Sequence, residues 1–188
     1  MKKSTSVGNL EEMSDPRIAR TRQALQQALK KLLKQKEFDQ VSVQDITETA
    51  MVNRATFYDH FPDKFALLEC MVGGQFCEFL AAREVQFDGT CGEELKRMVL
   101  AVCEFVARQR KPEPHMESAI IAVVRRMLLE GLQQHAPARK GITPEMGAAA
   151  ASWAIYGAAK EWAQTKGREP SETAAARIAE LVKTMLLG

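Results

Sequence analysis

The side chains best suited to binding chemistry lie in one short stretch of the 188-residue chain. Arg54 can donate two hydrogen bonds to a guanine edge, and Thr56 can contact a thymine methyl group, a base edge or a phosphate. Tyr58, His60 and Lys64 have the donors and the reach for phosphate oxygens. These residue types together indicate recognition of a nucleic acid, although any solvated helix surface can carry such a mixture.

The same stretch has the features of a short helix that approaches its partner closely. Ala55 is small enough to permit close contact with a groove wall, whereas Phe57 and Phe61 are typical core anchors. Asn53 is a candidate cap for a helix from Arg54 to about His60.

A run of seven cations without any acidic residue covers residues 17–36. Arg17, Arg20 and Arg22 crowd the start of the helix predicted there, where positive charge opposes the helix dipole. Such a cluster suggests an anionic partner; a solvated helix face is the alternative. The formal net charge of +2 excludes a histone-like basic coat but not a local basic face.

Signatures of catalysis and metal binding are absent from the sequence. It has no His-Glu-x-x-His, no Walker loop, no Gly-x-Gly-x-x-Gly and no nucleophile elbow. The three histidines are isolated, and the four cysteines have no zinc-site spacing. We therefore expect neither an enzyme nor a metal or cofactor site.

Export and membrane insertion are not indicated either. Residues 1–14 are polar and mixed, which predicts a flexible tail and not a signal peptide. No stretch reaches the ~18–20 uninterrupted apolar residues that a membrane helix needs. We expect a cytoplasmic protein with reduced cysteines.

Helical periodicity dominates the chain, and we predict an all-α fold of about nine helices. The first helix starts at Asp15-Pro16 and runs to about Lys36. A capping box of Ser42 and Asp45 then opens a short helix that runs to about Ala50. Longer helices follow from Lys64 onward.

A helix followed by two short helices across a tight turn is the helix-turn-helix arrangement. Two short helices bury little surface, so the first helix must supply the platform. We predict a tail at 1–14, a three-helix helix-turn-helix DNA-binding domain at 15–64, and a helical ligand-binding and dimerisation domain at 65–188. The surplus positive charge lies in the first 64 residues, which hold 11 basic and 9 acidic residues, whereas the remainder holds 15 of each.

The N-terminal sequence resembles the TetR family of bacterial transcriptional repressors. The resemblance covers about residues 17–69 and is carried by the pattern Val43-x-x-Ile46-x-x-x-Ala50-x-Val52-x-x-Ala55-Thr56-Phe57-Tyr58-x-His60-Phe61-x-x-Lys64-x-x-Leu67-Leu68. Its most specific part is Thr-Phe-Tyr-x-His-Phe-x-x-Lys. The remainder of the chain resembles the family only in its all-helical pattern.

The resemblance implies a recognition helix at 54–60 that enters the major groove. Positions that usually bind phosphates in the family correspond here to Ser42, Tyr58, His60 and Lys64. The full set of predicted DNA-binding residues is Arg17, Arg20, Arg22, Ser42, Asn53, Arg54, Ala55, Thr56, Tyr58, His60 and Lys64.

Two positions depart from the family pattern. Met51 occupies a turn position where the family usually has Gly, which implies either a conformation that tolerates a side chain or some strain. Phe65 replaces a usual Glu or Asp and is expected to pack.

A C-terminal surface is predicted to form a homodimer, because two recognition helices read two half-sites. Small residues permit close helix approach, and aromatic residues are enriched in interface cores; packing inside one chain is the alternative. The predicted interface comprises Gly147, Ala151, Trp153, Ala154, Ala158, Trp162, Ile178, Leu181 and Met185.

A small-molecule effector pocket is predicted among the middle helices, where methionines suit varied apolar ligands. The same residues also fit an ordinary core. The candidates are Met71, Phe76, Phe79, Met98, Cys103, Met116, Ile120, Met127 and Tyr156.

The sequence thus predicts a ligand-responsive repressor that binds a palindromic double-stranded DNA operator as a homodimer. The alternative is a helical protein-interaction adaptor that keeps the fold without specific DNA binding.

Overall fold

The computed structural model describes residues 16–87, 89, 92–108, 114–135 and 141–186, without the side chains of residues 114, 115, 135, 184 and 185. These ranges contain eight α-helices, one 3-10 turn and no strand. The all-α prediction of about nine helices is confirmed in class and close in number. None of the helices described is long and apolar enough to cross a membrane. The predicted tail at 1–14 lies outside the described residues.

The chain divides into two compact units, Met1–Met71 and Val72–Gly188. The first contains α1 (Pro16–Leu32), the 3-10 turn (Phe38–Gln40), α2 (Val43–Ala50), α3 (Arg54–His60) and the first turns of α4 (Lys64–Ala81). Side chains from every one of these elements share one core. Its most buried members are Leu25, Leu29, Phe38, Ile46, Phe57 and Leu67.

The second unit is a bundle formed by the rest of α4 with four longer helices. These are α5 (Gly92–Arg108), α6 (Pro114–His135), α7 (Pro144–Gln164) and α8 (Ser171–Leu186). Helix α5 packs against α7 and α8, and α7 packs against α6 and α8. The predicted functional division at residues 64 and 65 remains a prediction.

Local side-chain chemistry sets the boundaries of the short helices, as predicted. Ser42 Oγ accepts from the Asp45 N–H at 3.1 Å while Asp45 Oδ2 accepts from the Ser42 N–H at 2.8 Å, which confirms the capping box. Asn53 Oδ1 accepts from the Thr56 N–H at 2.7 Å at the start of α3. Asp63 Oδ1 accepts from the Ala66 N–H at 2.8 Å at the start of the longer helix α4.

The first helix ends earlier than predicted. We expected it to reach about Lys36, but it ends at Leu32. The N–H groups of Gln35 and Lys36 both donate to the Leu32 carbonyl, so the chain tightens into a turn there. This turn brings Phe38 into the core.

Candidate nucleic-acid interface

Helix α3 presents a small exposed surface on a buried anchor. Phe57 is fully buried, whereas Arg54 and Ala55 are exposed and Tyr58 is 46% exposed. Arg54 Nη2 donates to the Tyr58 hydroxyl at 3.1 Å, and the guanidinium lies 5.6 Å from the centre of the Tyr58 ring. Thr56 is half-buried beside them. The structure therefore brings the predicted base-contacting residues onto one accessible helix.

The turn before α3 contains a strained residue. Met51 has φ 55° and ψ 41°, which is the left-handed region, and its side chain is 91% exposed. Most residues with a Cβ avoid this conformation, which Gly adopts freely. The turn therefore keeps the backbone that the family's glycine would favour, even though this chain has methionine there.

Ser42 and Asp45 form a polar cluster with Lys36 at the start of α2. Besides accepting from the backbone, Asp45 Oδ2 accepts from Ser42 Oγ at 2.7 Å and pairs with Lys36 Nζ at 2.8 Å. The lysine and then the two Ser42 donors hold the pKa of the Asp45 carboxyl well below its usual range. The Ser42 hydroxyl, predicted to bind phosphate, donates to Asp45 in this structure.

Lys64 lies at the start of α4 with its ammonium group turned into the first unit. Its Nζ donates to the carbonyls of Phe38 at 3.1 Å, Asp39 at 3.2 Å and Val41 at 2.8 Å. The ammonium also lies 4.7 Å from the centre of the Phe38 ring and 5.5 Å from that of Phe65. Phe65 packs edge-on against Phe38 at 5.4 Å, as expected for that departure from the family pattern.

Arg22 connects α1 to the end of α3 and to α4. Its Nη1 donates to the His60 carbonyl and its Nη2 to Cys70 Sγ, both at 3.4 Å. The guanidinium carbon lies 4.5 Å from the centre of the Phe61 ring. Gln26 also donates to Cys70 Sγ, at 3.4 Å. Sequence reasoning missed Gln26 and Cys70, since their partners lie more than forty residues away.

The other predicted DNA-binding residues differ in accessibility. Arg17, Arg20 and Asn53 are exposed, and His60 is half-buried. The Asn53 side chain is used as the cap of α3. A role in DNA binding remains a prediction for each of them.

Comparison with known proteins identifies this part of the chain. Residues 25–71 match the family model described as "Bacterial regulatory proteins, tetR family". This helix-turn-helix domain belongs to the tetR family. A curated relative from Bacillus subtilis (strain 168), an uncharacterized HTH-type transcriptional regulator called YxbF, is 38% identical over 71 residues. That match covers 37% of this chain and 19% of the relative, so the chain spans about a fifth of that protein's length.

Solved structures of TetR regulators share the fold of the chain beyond the tetR-family domain. Thermus thermophilus FadR, a TetR family repressor solved with lauroyl-CoA, has a TM-score of 0.61 at 18% identity and covers 89% of this chain and 95% of its own. A TetR-family regulator from Streptomyces coelicolor A3 has a TM-score of 0.61 at 17% identity, covering 93% and 99%. A TetR transcriptional regulator from Streptococcus agalactiae 2603V has a TM-score of 0.53 at 18% identity, and the match covers 92% of this chain and 98% of that protein.

The second unit, which follows the tetR-family domain, contains a cavity of about 830 Å³ between α4, α5 and α6. Leu80, Ala81, Val85, Val123 and Met127 form its apolar wall. Its polar lining is Cys77, Glu84, Gln86, Glu94, Arg97 and Arg126.

Of the nine predicted effector residues, Met127 alone lines this cavity. Others are part of the core. Burial raises the pKa of the Cys103 thiol there to about 12. Burial and the nearby Glu117 charge together raise the pKa of the Tyr156 hydroxyl to about 12. Phe79 and Met116 are half-buried. The buried predicted residues are Met71, Phe76, Met98, Cys103, Ile120 and Tyr156. Their role as an effector pocket remains a prediction.

Helices α7 and α8 expose large apolar side chains. Trp153 is 63% exposed, Met146 59% and Leu181 60%. Ala151 and Ile178, also predicted for the dimer interface, are buried within the chain itself. Gly147, Ala154, Ala158 and Trp162 are half-buried, and the side chain of Met185 lies outside the described residues.

Proposed function

We propose that the protein is a transcriptional regulator, a repressor that binds a palindromic DNA operator as a homodimer and is released by a small-molecule effector. The observation that carries this proposal is the exposed Arg54–Tyr58 pair on α3, next to small Ala55, in a tetR-family domain. These side chains match what base-edge contacts in the major groove require.

In the proposed complex, α3 lies in the major groove. Arg54 donates to a guanine edge once its contact with Tyr58 gives way, and Thr56 contacts a thymine methyl or a neighbouring phosphate. The Tyr58 hydroxyl then donates a hydrogen bond to a phosphate of the DNA backbone. Exposed Arg17 and Arg20 add phosphate contacts that carry no sequence information.

The homodimer is supported by the apolar surface of α7 and α8. Trp153, Met146 and Leu181 are mostly exposed, and exposed apolar side chains of this size are typical of protein interfaces. A symmetric pair of chains presents two recognition helices, so half-sites about 34–36 Å apart are expected.

The effector is proposed to occupy the cavity next to Met127, in the second unit. Its volume of about 830 Å³ lies in the range of small-molecule sites, and its lining combines five apolar side chains with six polar or charged ones. The structural relative FadR was solved with lauroyl-CoA, which supports ligand binding by this fold. A ligand that binds one conformation better than another shifts the balance away from the DNA-binding form.

The function is tested by selecting the preferred DNA from a random pool and measuring affinity for it across salt concentrations. We expect a palindromic preference and a steep fall of affinity with salt. Arg54→Ala should lose about 1–3 kcal/mol and relax the preference at one base pair. The matched control is Arg125→Ala, an exposed arginine of the second unit. Equal binding to all sequences, unchanged in Arg54→Ala, would favour the adaptor alternative.

A further inference from the structure

We propose that Lys64 and Arg22 are positioning residues that fix the two ends of the helix-turn-helix, and that Lys64 does not neutralise a DNA phosphate. This inference rests on the proposed DNA-binding function, within which it assigns different roles to cations that the sequence pattern treats alike. The two residues lie at opposite ends of the α2–α3 pair.

Lys64 has no donor left for a phosphate in this structure. An ammonium group carries three N–H donors, and all three have backbone carbonyl acceptors, those of Phe38, Asp39 and Val41, within 3.2 Å. The Phe38 and Phe65 rings flank the charge. A phosphate contact would require withdrawing the ammonium from these acceptors.

The carbonyls held by Lys64 lie immediately before the start of α2. Val41 is followed by Ser42, whose side chain caps that helix, and the Phe38 carbonyl also accepts the Val41 N–H of the 3-10 turn at 3.0 Å. Lys64 therefore fixes the entry of α2 relative to α4. Since a lysine is a compact point charge, it can satisfy three converging carbonyls where a planar guanidinium cannot.

Arg22 fixes the end of α3, as Lys64 fixes the start of α2. His60 is the last residue of α3, and its carbonyl is one of those that a helix leaves without an internal partner. Arg22 donates to it while its guanidinium stacks on Phe61 and reaches Cys70 on α4. The C-terminus of the recognition helix is thus tied to both α1 and α4.

Neither cation forms a salt bridge with a carboxylate anywhere in the described ranges, so carbonyl dipoles and ring faces provide their surroundings. Arg17, Arg20 and Arg54 are exposed residues, whereas Lys64 and Arg22 are half-buried. We assign phosphate and base contacts to the exposed group and positioning to Lys64 and Arg22.

The experiment compares Lys64→Arg, Lys64→Met and the control Lys30→Met in the full chain. Lys30 is an exposed cation of α1. Thermal unfolding without DNA is measured first. We expect both Lys64 variants to lower Tm by about 4 °C or more, the scale for losing a few hydrogen bonds in a chain of this size, with Lys30→Met nearly unchanged. A phosphate ligand would instead tolerate Lys64→Arg without loss of Tm.

Operator affinity against salt gives the second readout. Each phosphate contact contributes about 0.9 to the magnitude of the slope of log K against log salt. A dimer that lost one contact per chain would therefore have a slope shallower by about 1.8. Positioning by Lys64 predicts weaker binding with an unchanged slope in Lys64→Arg and Lys64→Met. A shallower slope in Lys64→Met with wild-type Tm would overturn the proposal.

Arg22 is tested by the charge-preserving variant Arg22→Lys, because one ammonium cannot reach the His60 carbonyl and Cys70 Sγ while stacking on Phe61. Lower Tm and weaker binding at a constant salt slope are expected; a wild-type Tm would refute its positioning role. If the wild-type chain shows no salt-dependent DNA binding, the proposed function itself fails, whereas the Tm comparison still reports on both cations.

Discussion

At the scale of single residues, the Asp45 carboxylate shows how one polar cluster stabilises the start of α2. It accepts from both Ser42 donors and pairs with Lys36, and these partners lower its pKa. Because the folded pKa lies below the unfolded value of about 4, the stabilisation is complete above pH 4 and is lost as pH falls further. The fold thus holds this helix start best at neutral pH.

We predict that Asp45→Asn lowers Tm by a few degrees at pH 7 and that the difference from wild type shrinks as pH falls from about 4 towards 2. The measurement is thermal unfolding by circular dichroism across this pH range. Asp59→Asn, an exposed residue of α3, is the control and should leave Tm nearly unchanged. A Tm difference independent of pH would contradict the role given to the Asp45 charge.

Met51 is a second residue where a single change has a calculable effect. Its left-handed backbone costs a residue with a Cβ about 1–2 kcal/mol, whereas Gly loses more entropy on folding. We predict that Met51→Gly raises the free energy of unfolding by about 0.5–1 kcal/mol, measured by urea denaturation. Met51→Ala keeps the Cβ and should give no such gain, so an equal gain in both variants would exclude backbone strain as the cause.

At the scale of elements, the sequence predicted what depends on near neighbours. The capping box at Ser42, the Asn53 cap and the short helices α2 and α3 follow from residues three or four positions apart. Lys64 was predicted to bind phosphate and Arg22 to bind DNA, because the sequence near each residue gives no sign of carbonyl acceptors more than twenty residues away. Only tertiary packing brings these partners together.

The dimer and effector residues show the same limit. Helical periodicity distinguishes apolar from polar faces, but it does not say which apolar face meets another helix of the same chain. Ala151 is buried while neighbouring Trp153 is exposed, although both are apolar residues of α7. The cavity next to Met127 is lined by residues of three helices, which no single helix pattern encodes.

Helix α6 contains a position where the backbone of another segment makes close contact. A Cβ added at Gly131 would lie 2.5 Å from the Phe87 carbonyl oxygen and 2.9 Å from the Gly89 nitrogen. Gly89 itself has φ +81°, so this segment meets α6 through two glycines. Val85, a wall residue of the cavity, lies two residues before Phe87 in this segment.

We predict that Gly131→Ala destabilises the protein by about 1–3 kcal/mol, because backbone must shift to admit the methyl group. Helix propensity alone would give the opposite sign, a gain of up to about 1 kcal/mol. Gly74→Ala is the matched control, since a Cβ at that helical position meets nothing within 4 Å. Urea unfolding of both variants decides the sign; stabilisation by Gly131→Ala would disprove the close approach.

At the scale of the whole molecule, the surplus positive charge and the exposed apolar side chains of α7 and α8 lie in different parts of the chain. The excess of basic over acidic residues lies within residues 1–64, whereas residues 65–188 are balanced. The exposed apolar residues Met146, Trp153 and Leu181 lie in the balanced part. This separation allows one part to attract an anionic partner while the other associates with a second copy without charge repulsion.

The final prediction concerns the proposed homodimer. Trp153→Glu places a charge among the exposed apolar side chains of the proposed interface, where association would bury it without a partner. We expect monomers in sedimentation at concentrations where the wild-type chain is dimeric. Operator binding should fall at least 100-fold, because one recognition helix retains only part of the contact free energy.

The control for this prediction is Gln164→Glu, which adds the same charge at an exposed position near the end of the same helix. It should remain dimeric and keep its operator affinity. If Trp153→Glu also remains dimeric, the interface lies elsewhere on the molecule. If it becomes monomeric yet binds the palindrome with wild-type affinity, dimerisation is real but two recognition helices are not needed for operator binding.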